Sequence, residues 1–217
     1  KWGAEFSLKR YHDRVIDAIA STPTVCEHVH LPMQSGSSRT LKRMLRRYTR
    51  EGYFECAERL RAAIPGLALT TDIIVGFPGE TDDEFAETLS AVREIGFDDA
   101  YTFKFSMRDG TPATRLPPEI AIPDEVASER LDRLIAVVRE GSRARNMSRL
   151  GERHEVLVEK AARRGGLLQA RTRDFKTVII PGEPEMIGQY VDVELTGTTG
   201  STFTGAILRA REPLPMR

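Results

Sequence analysis

The order of apolar and polar positions predicts an alternation of helices and strands over the first two thirds of the chain. Val15, Ile16 and Ile19 recur at helical spacing between His12 and Ala20, and Pro23 ends that short amphipathic helix. Val25 to Leu31 reads as a strand leading into the polar turn Pro32-Met33-Gln34-Ser35-Gly36-Ser37-Ser38. Ser37 or Ser38 can cap the next helix, which runs through Leu41, Met44 and Leu45. Tyr48-Thr49 restarts a helix whose stripe is Tyr53, Ala57, Leu60 and Ile64, and Pro65-Gly66 stops it. The β-branched run from Leu67 to Val75 predicts a buried parallel strand. Gly76-Phe77-Pro78-Gly79 turns the backbone sharply, and Thr81-Asp82-Asp83-Glu84 is a capping box. The helix it opens buries Phe85, Leu89, Val92 and Ile95, and Gly96 closes it. Tyr101, Phe103 and Phe105 alternate with Thr102, Lys104 and Ser106, which reads as a half-buried strand with a polar face. A proline-rich connection then leads to a long helix with Ala127, Leu131, Leu134, Ile135 and Val138 on its apolar face, ending near Leu150.

This order implies parallel strands joined by right-handed crossovers. Three strands supply only part of a closed eight-stranded barrel, which takes about 250 residues. Such a part leaves one sheet edge open and some of a hydrophobic face uncovered. After Gly151 the texture changes to five short strands, Val156 to Glu159, Leu167 to Thr172, Thr177 to Ile180, Tyr190 to Leu195 and Phe203 to Leu208, separated by glycine turns. That spacing predicts a small antiparallel barrel. The fold class is therefore α/β, a partial (β/α) TIM-type barrel over residues 1–149, followed by an OB-like β-barrel over 150–217.

Composition changes this picture little. Of 217 residues, 40% are hydrophobic and 29% charged, as in an ordinary globular protein. No apolar run reaches the roughly 20 residues of a membrane span. The chain begins with Lys1 and shows no signal pattern, which suggests a piece of a longer or processed protein. Cys26 and Cys56 are too few for a metal cluster and read as buried thiols in a reducing cytoplasm; no metal ligands are assigned. His28 and His30 share a strand face and read as a polar pair at a barrel mouth or a hydrogen-bonded pair in the core rather than a metal site. The formal net charge is zero, but basic residues cluster locally, so a nucleic-acid partner remains open.

Two constellations carry candidate chemistry. Strand, glycine turn and helix N-terminus form the usual cofactor position of an α/β protein, although a plain connecting turn looks similar. Backbone N–H groups and hydroxyls of Gln34, Ser35, Gly36 and Ser37 suit a ribose, carboxylate or phosphate. In the second region Arg163, Arg164, Arg171, Arg173 and Lys176 interleave with Phe175, a pattern that fits an RNA-binding face or a solvated charged loop.

His30 to Ser37, Arg46 to Arg50, Thr70 to Thr81 and Tyr101 to Arg108 together resemble the methylthiotransferases of the radical S-adenosylmethionine superfamily. The last two stretches are most similar to the branch that adds a methylthio group to C2 of N6-isopentenyladenosine beside the tRNA anticodon, and the second region is similar to a TRAM domain. The resemblance implies a radical enzyme that uses S-adenosylmethionine and [4Fe–4S] clusters, acts on tRNA, and works as a cytoplasmic monomer. It implies that Gln34, Ser35, Gly36 and Ser37 lie near the cofactor's ribose and methionine. It further implies that Ile74, Gly76, Phe77, Pro78, Gly79 and Glu80 pack on its adenine, and that Phe103 and Phe105 line the last barrel wall. The basic cluster would hold tRNA phosphates. No catalytic acid or base is assigned. The CxxxCxxC loop that holds the radical-generating cluster in the family is absent from this sequence, so the chain alone is expected to be inactive. A sister enzyme acting on another tRNA adenosine or a ribosomal protein, and a non-catalytic RNA-binding protein, are the alternatives.

Overall fold

The computed structural model describes residues 13–163 and 165–210. The chain forms two compact units. One takes the residues up to Val25 together with Val29–Gly141, and the other takes Cys26–His28 and the residues from Ser142 onward. No helix among the described residues is long and apolar enough to cross a membrane.

In the first unit α1 (Asp13–Ser21), β1 (His28–His30), α2 (Ser38–Arg43), α3 (Arg50–Ala63), β2 (Ala68–Val75), α4 (Asp82–Ile95) and β3 (Asp99–Lys104) follow one another, and α5 (Asp124–Ser148) begins after two 3-10 turns. The sheet order is β1-β2-β3. β2 and β3 pair in parallel from Thr70↔Asp99 to Val75↔Lys104. Crossover helices must therefore cover a face, and α3 and α4 do so with Tyr53, Leu60, Phe85, Leu89 and Val92 against Leu69, Ile73 and Val75. Thr49 caps α3 through Gly52 N, Thr81 and Glu84 form the expected capping box, and Gly96 closes α4 in the left-handed region at φ 61°.

The structure corrects four of the sequence readings. The strand expected from Val25 is only three residues long, and Val25 lies in an exposed turn. α2 stops at Arg43, and Leu45 is exposed with φ 58° rather than on a helix stripe. On β3 the aromatic face is the open one, since Tyr101 and Phe103 are 62% and 50% exposed. The expected buried thiols are one of each kind, Cys56 buried and Cys26 exposed. The helix expected from His12 starts its described course at Asp13, with His12 itself outside the described residues.

The second unit is a closed barrel of β4 (Arg153–Ala161), β5 (Leu167–Thr172), β6 (Thr177–Pro181), β7 (Tyr190–Thr198) and β8 (Thr202–Ala210), in the order β4-β5-β6-β8-β7. All pairings are antiparallel except β6 with β8, whose parallel register Thr177↔Thr202 closes the barrel. Alternate residues point inward, so Val156, Val158, Leu168, Ala170, Val178, Ile180, Val191, Val193 and Phe203 fill the interior.

Candidate functional site

Parallel strands present their carboxyl ends together, and the loops that follow them form a crevice. Here that crevice is a cleft of about 600 Å³. Ile74, Phe77, Phe103 and Phe105 give it apolar walls, and Gln34, Arg46, Asp72 and Arg108 are among its polar groups. The Phe77 and Phe105 rings meet edge to face, with centroids 4.9 Å apart.

Gln34 lies beyond β1, bridged in parallel to Ile73 of β2, in a left-handed conformation, φ 68°, which costs a non-glycine residue about 1–2 kcal/mol. The surroundings over-determine it. Its N–H donates to Asp72 O at 2.8 Å and its carbonyl accepts from Ile74 N at 2.9 Å, while Arg46 Nη2 donates to its side chain at 3.3 Å. The preceding residues are pinned by two tyrosines. Tyr53 Oη donates to Leu31 O at 2.5 Å, and Tyr48 Oη lies 3.2 Å from both Pro32 O and Met33 O. Burial pushes the Tyr48 phenol up to about 12, against the opposing charge of Arg46.

Ser35, Gly36 and Ser37 lie beneath the cleft rather than on it. Ser35 Oγ and Gly36 N both meet Thr88 Oγ1 on α4, at 3.3 and 3.0 Å. A Cβ on Gly36 would stand 2.6 Å from Thr88 Cα and 2.7 Å from Glu87 O, so this glycine lets the turn touch the helix. Ser37 takes the N-cap position of α2, yet its buried hydroxyl caps nothing and has no hydrogen-bond partner. Gly76, Pro78, Gly79 and Glu80 form the frame behind Phe77. Gly76 has φ 73°, and a Cβ there would lie 2.7 Å from Ala127 Cβ. Glu80 is buried, accepts from Gly76 N at 2.8 Å and pairs with Arg130 Nη1 at 2.8 Å. Burial nevertheless leaves its carboxyl above the usual range, with Gly76 N and Arg130 acting in the opposite direction.

The residues that sequence reasoning missed are the long-range partners. Arg43 lies along the cleft and donates through Nη1 and Nη2 to the Glu84 carboxylate; Thr40 Oγ1 also donates to Glu84. Arg46 carries a buried Nε with no hydrogen-bond partner. His30 Nδ1 lies 3.0 Å from Thr70 Oγ1 and its Nε2 lies 3.4 Å from Asp72 Oδ1, in keeping with a hydrogen-bonded histidine.

An aromatic floor with an unpaired guanidinium nitrogen at its edge fits a nucleoside bearing a polar or anionic tail, so Gln34, Arg46, Ile74, Phe77, Phe103 and Phe105 fit S-adenosylmethionine. They do not fit an iron–sulfur cluster. Among the described residues no three His, Cys, Asp or Glu side chains converge to hold a metal ion.

In the barrel the basic cluster separates into different environments. Arg163 is exposed, and Arg164 lies outside the described residues. Arg171 grips Glu159 with Nε and Nη2 at 2.7 and 3.0 Å, and Arg173 grips Glu27 with Nε and Nη2, each at 2.9 Å. Those guanidinium hydrogen bonds hold both carboxyls below the usual range. Lys176 is only 8% exposed, and its backbone closes the β5–β6 turn on Thr172. Phe175 stands at the tip of that turn with φ 69° and its ring 55% exposed; the Arg171 guanidinium lies 4.5 Å over it and His28 stacks on it at 5.0 Å. Beneath the turn Asp174 meets Arg149 Nη1 at 2.5 Å.

Residues 5–92 match the family model described as the radical SAM superfamily, and residues 148–208 match the TRAM domain. The chain is 46% identical over 204 residues to a tRNA-2-methylthio-N(6)-dimethylallyladenosine synthase of Pelotomaculum thermopropionicum, covering 94% of this chain and 44% of that protein. It is 42% identical over 206 residues to the enzyme of the same name from Thermus thermophilus, covering 95% of this chain and 44% of the relative. The chain thus spans less than half the length of the curated relatives it matches. A solved structure, the radical SAM enzyme coproporphyrinogen III oxidase of Escherichia coli, superimposes with a TM-score of 0.51 at 14% identity, over 92% of this chain and 48% of that one, a likeness of fold alone. Residues 5–92 are thus similar to the radical SAM superfamily and residues 148–208 to the TRAM domain, and over nearly its whole length the chain is similar to tRNA-2-methylthio-N(6)-dimethylallyladenosine synthases.

Proposed function

We propose that this chain is the part of a tRNA methylthiotransferase that walls the S-adenosylmethionine pocket and engages the tRNA, in an enzyme that adds a methylthio group to C2 of N6-isopentenyladenosine next to the anticodon. The observation that carries this reading is the pairing, in one chain, of a nucleoside-sized cleft at the carboxyl ends of β1–β3 with a TRAM barrel. Residues 1–149 form the catalytic-barrel part and 150–217 the RNA-binding part. The protein acts in the cytoplasm as a monomer.

S-adenosylmethionine supplies the radical and methyl chemistry when bound. The chain's own residues bind and orient. Ile74, Phe77, Phe103 and Phe105 take the purine and exclude water, and Gln34 with Arg46 meets the polar end. Two cysteines cannot ligate a four-iron cluster, so cluster ligands come from outside these residues and the chain alone does not turn over. Arg163, Arg171 and Arg173 with Phe175 contact RNA. Titration of the chain with S-adenosylhomocysteine, and separately with an anticodon stem-loop with and without the isopentenyl group, tests the two halves of the reading. Absence of nucleoside binding would refute the pocket, and absence of stem-loop binding would refute the RNA face. A stable four-iron cluster after reconstitution would refute the inactivity.

A further inference from the structure

The turn that forms the Phe77 wall of the cleft is tied from outside itself, and one side chain does most of the tying. Arg130, on α5, is 5% exposed. Its Nη1 donates to Glu80 Oε2 at 2.8 Å and to Glu80 O at 3.0 Å, and its Nη2 donates to Asp82 Oδ1 at 2.7 Å. Glu80 Oε2 in turn accepts from Gly76 N, so one carboxylate oxygen joins the start and the end of the turn to α5. Ile120 O adds a second tie from Gly79 N at 2.7 Å. Opposite the turn, Ala127 on the same helix packs where a Gly76 side chain would stand.

A buried ion pair is a poor source of stability, because desolvation of two charges offsets most of their attraction, and an apolar pair of equal volume often does as well. What the pair adds is direction. A guanidinium fork with one carboxylate and two further oxygens in reach has a single arrangement. We propose that Arg130 is a positioning residue for the purine of the bound cofactor: through Glu80 it fixes the Gly76–Glu80 turn, and with it the Phe77 ring against Phe105. The inference rests on the cleft being the nucleoside pocket argued above.

The test uses the 217-residue chain with S-adenosylhomocysteine and adenosine as probes in calorimetric titration. Arg130→Met with Glu80→Gln removes both charges together, so neither is left buried alone. This double variant should keep the wild-type melting temperature to within a few degrees and lose about tenfold or more in affinity for both probes, equivalent to about 1.4 kcal/mol. Arg130→Lys keeps the charge but not the fork and should fall between. Equal affinity in a folded double variant would overturn the proposal. So would a loss for S-adenosylhomocysteine without one for adenosine, since the turn faces the purine that both share. Should the double variant unfold, Arg130→Lys carries the same comparison, and unchanged affinity there overturns the proposal as well. Wild-type chain that binds neither probe would instead refute the pocket reading, and the positioning role with it.

Discussion

Gly36→Ala should destabilise the first unit severely, although the position reads in sequence as a permissive ligand turn. The new Cβ would lie 2.6 Å from Thr88 Cα, 2.7 Å from Glu87 O and 2.8 Å from Ala91 Cβ. Two of these atoms are backbone, so no rotamer change clears them. The turn would have to retreat from α4 by most of an ångström. It is held there by Gly36 N on Thr88 Oγ1 and by Arg50 Nη1 donating to Gly36 O at 3.1 Å. Overpacking that side chains can absorb costs about 1–3 kcal/mol. An obstruction by backbone belongs at the upper end, and a strained buried hydrogen bond adds about 1 kcal/mol. At about 2–4 °C per kcal/mol for a chain of this size, a loss of about 3 kcal/mol lowers Tm by roughly 6–12 °C. Gly66→Ala is the control. It has open space and φ 73°, so it pays only the left-handed strain, about 1 kcal/mol. Melting followed by helical ellipticity reports chiefly on the first unit, which holds α1–α4 and most of α5. A Gly36→Ala chain that melts no lower than Gly66→Ala would refute the close-contact reasoning.

The barrel and the tyrosines give three further expectations. Replacing Arg171 and Arg173 together with Ala should weaken stem-loop binding and reduce the salt slope by up to about 1.8 units, at about 0.9 per phosphate contact. Lys176→Met should change neither, because that side chain is buried; filter binding across a salt series that ranks them the other way would discard this face. Burial pushes the Asp174 carboxyl up, but hydrogen bonds from Arg149 and Thr172 and the Arg149 charge outweigh it, so its folded pKa lies below the ordinary value. Its contribution is therefore complete above the unfolded pKa of about 3.9 and is lost as pH falls through the folded value. Protection of the Val178 and Ile180 amides, taken relative to the free-chain exchange rate at each pH, should fall over that acid range in the wild type, and Asp174→Asn should be less protected at neutral pH with no such acid step. For Tyr48 the sign is opposite. A raised folded pKa gives stability that is complete below the unfolded value of about 10 and is lost as pH rises towards the folded value. Since that folded value is about 12, urea midpoints should fall across this alkaline interval, and less steeply in Tyr48→Phe; an unchanged slope would remove Tyr48 from the account.

The parts of this molecule that were legible in its sequence are those set by neighbours a few residues apart. The Thr81–Glu84 capping box, the left-handed Gly96 and the Leu67–Val75 strand each follow from local rules, and the barrel's five strands follow from their turn spacing. What failed had its cause far along the chain. Tyr101 and Phe103 alternate as an inward face would, but the covered face of β3 is the other one, where Ala100 packs against the core that holds Leu89, Val92 and Leu134, and Lys104 meets Asp124 and Ser128. Gly36 looks like a ligand glycine until Thr88, on another element, is seen beside it. The basic cluster shows the same limit in electrostatic form. Residue type groups Arg171, Arg173 and Lys176 together, but their free charge depends on Glu159 twelve residues back from Arg171 and on Glu27, 146 residues before Arg173. An arginine that already holds a carboxylate bidentately must exchange that partner for a phosphate, gaining only the difference between two similar ion pairs. RNA contact at this turn is therefore expected to draw more on the exposed Phe175 ring, where a base takes the place of the stacked His28 or of the Arg171 guanidinium, than on exchange of the carboxylate partners. Phe175→Ala should then cost more stem-loop affinity than Arg173→Ala at moderate salt, and the reverse order in an anisotropy titration would return the weight to charge.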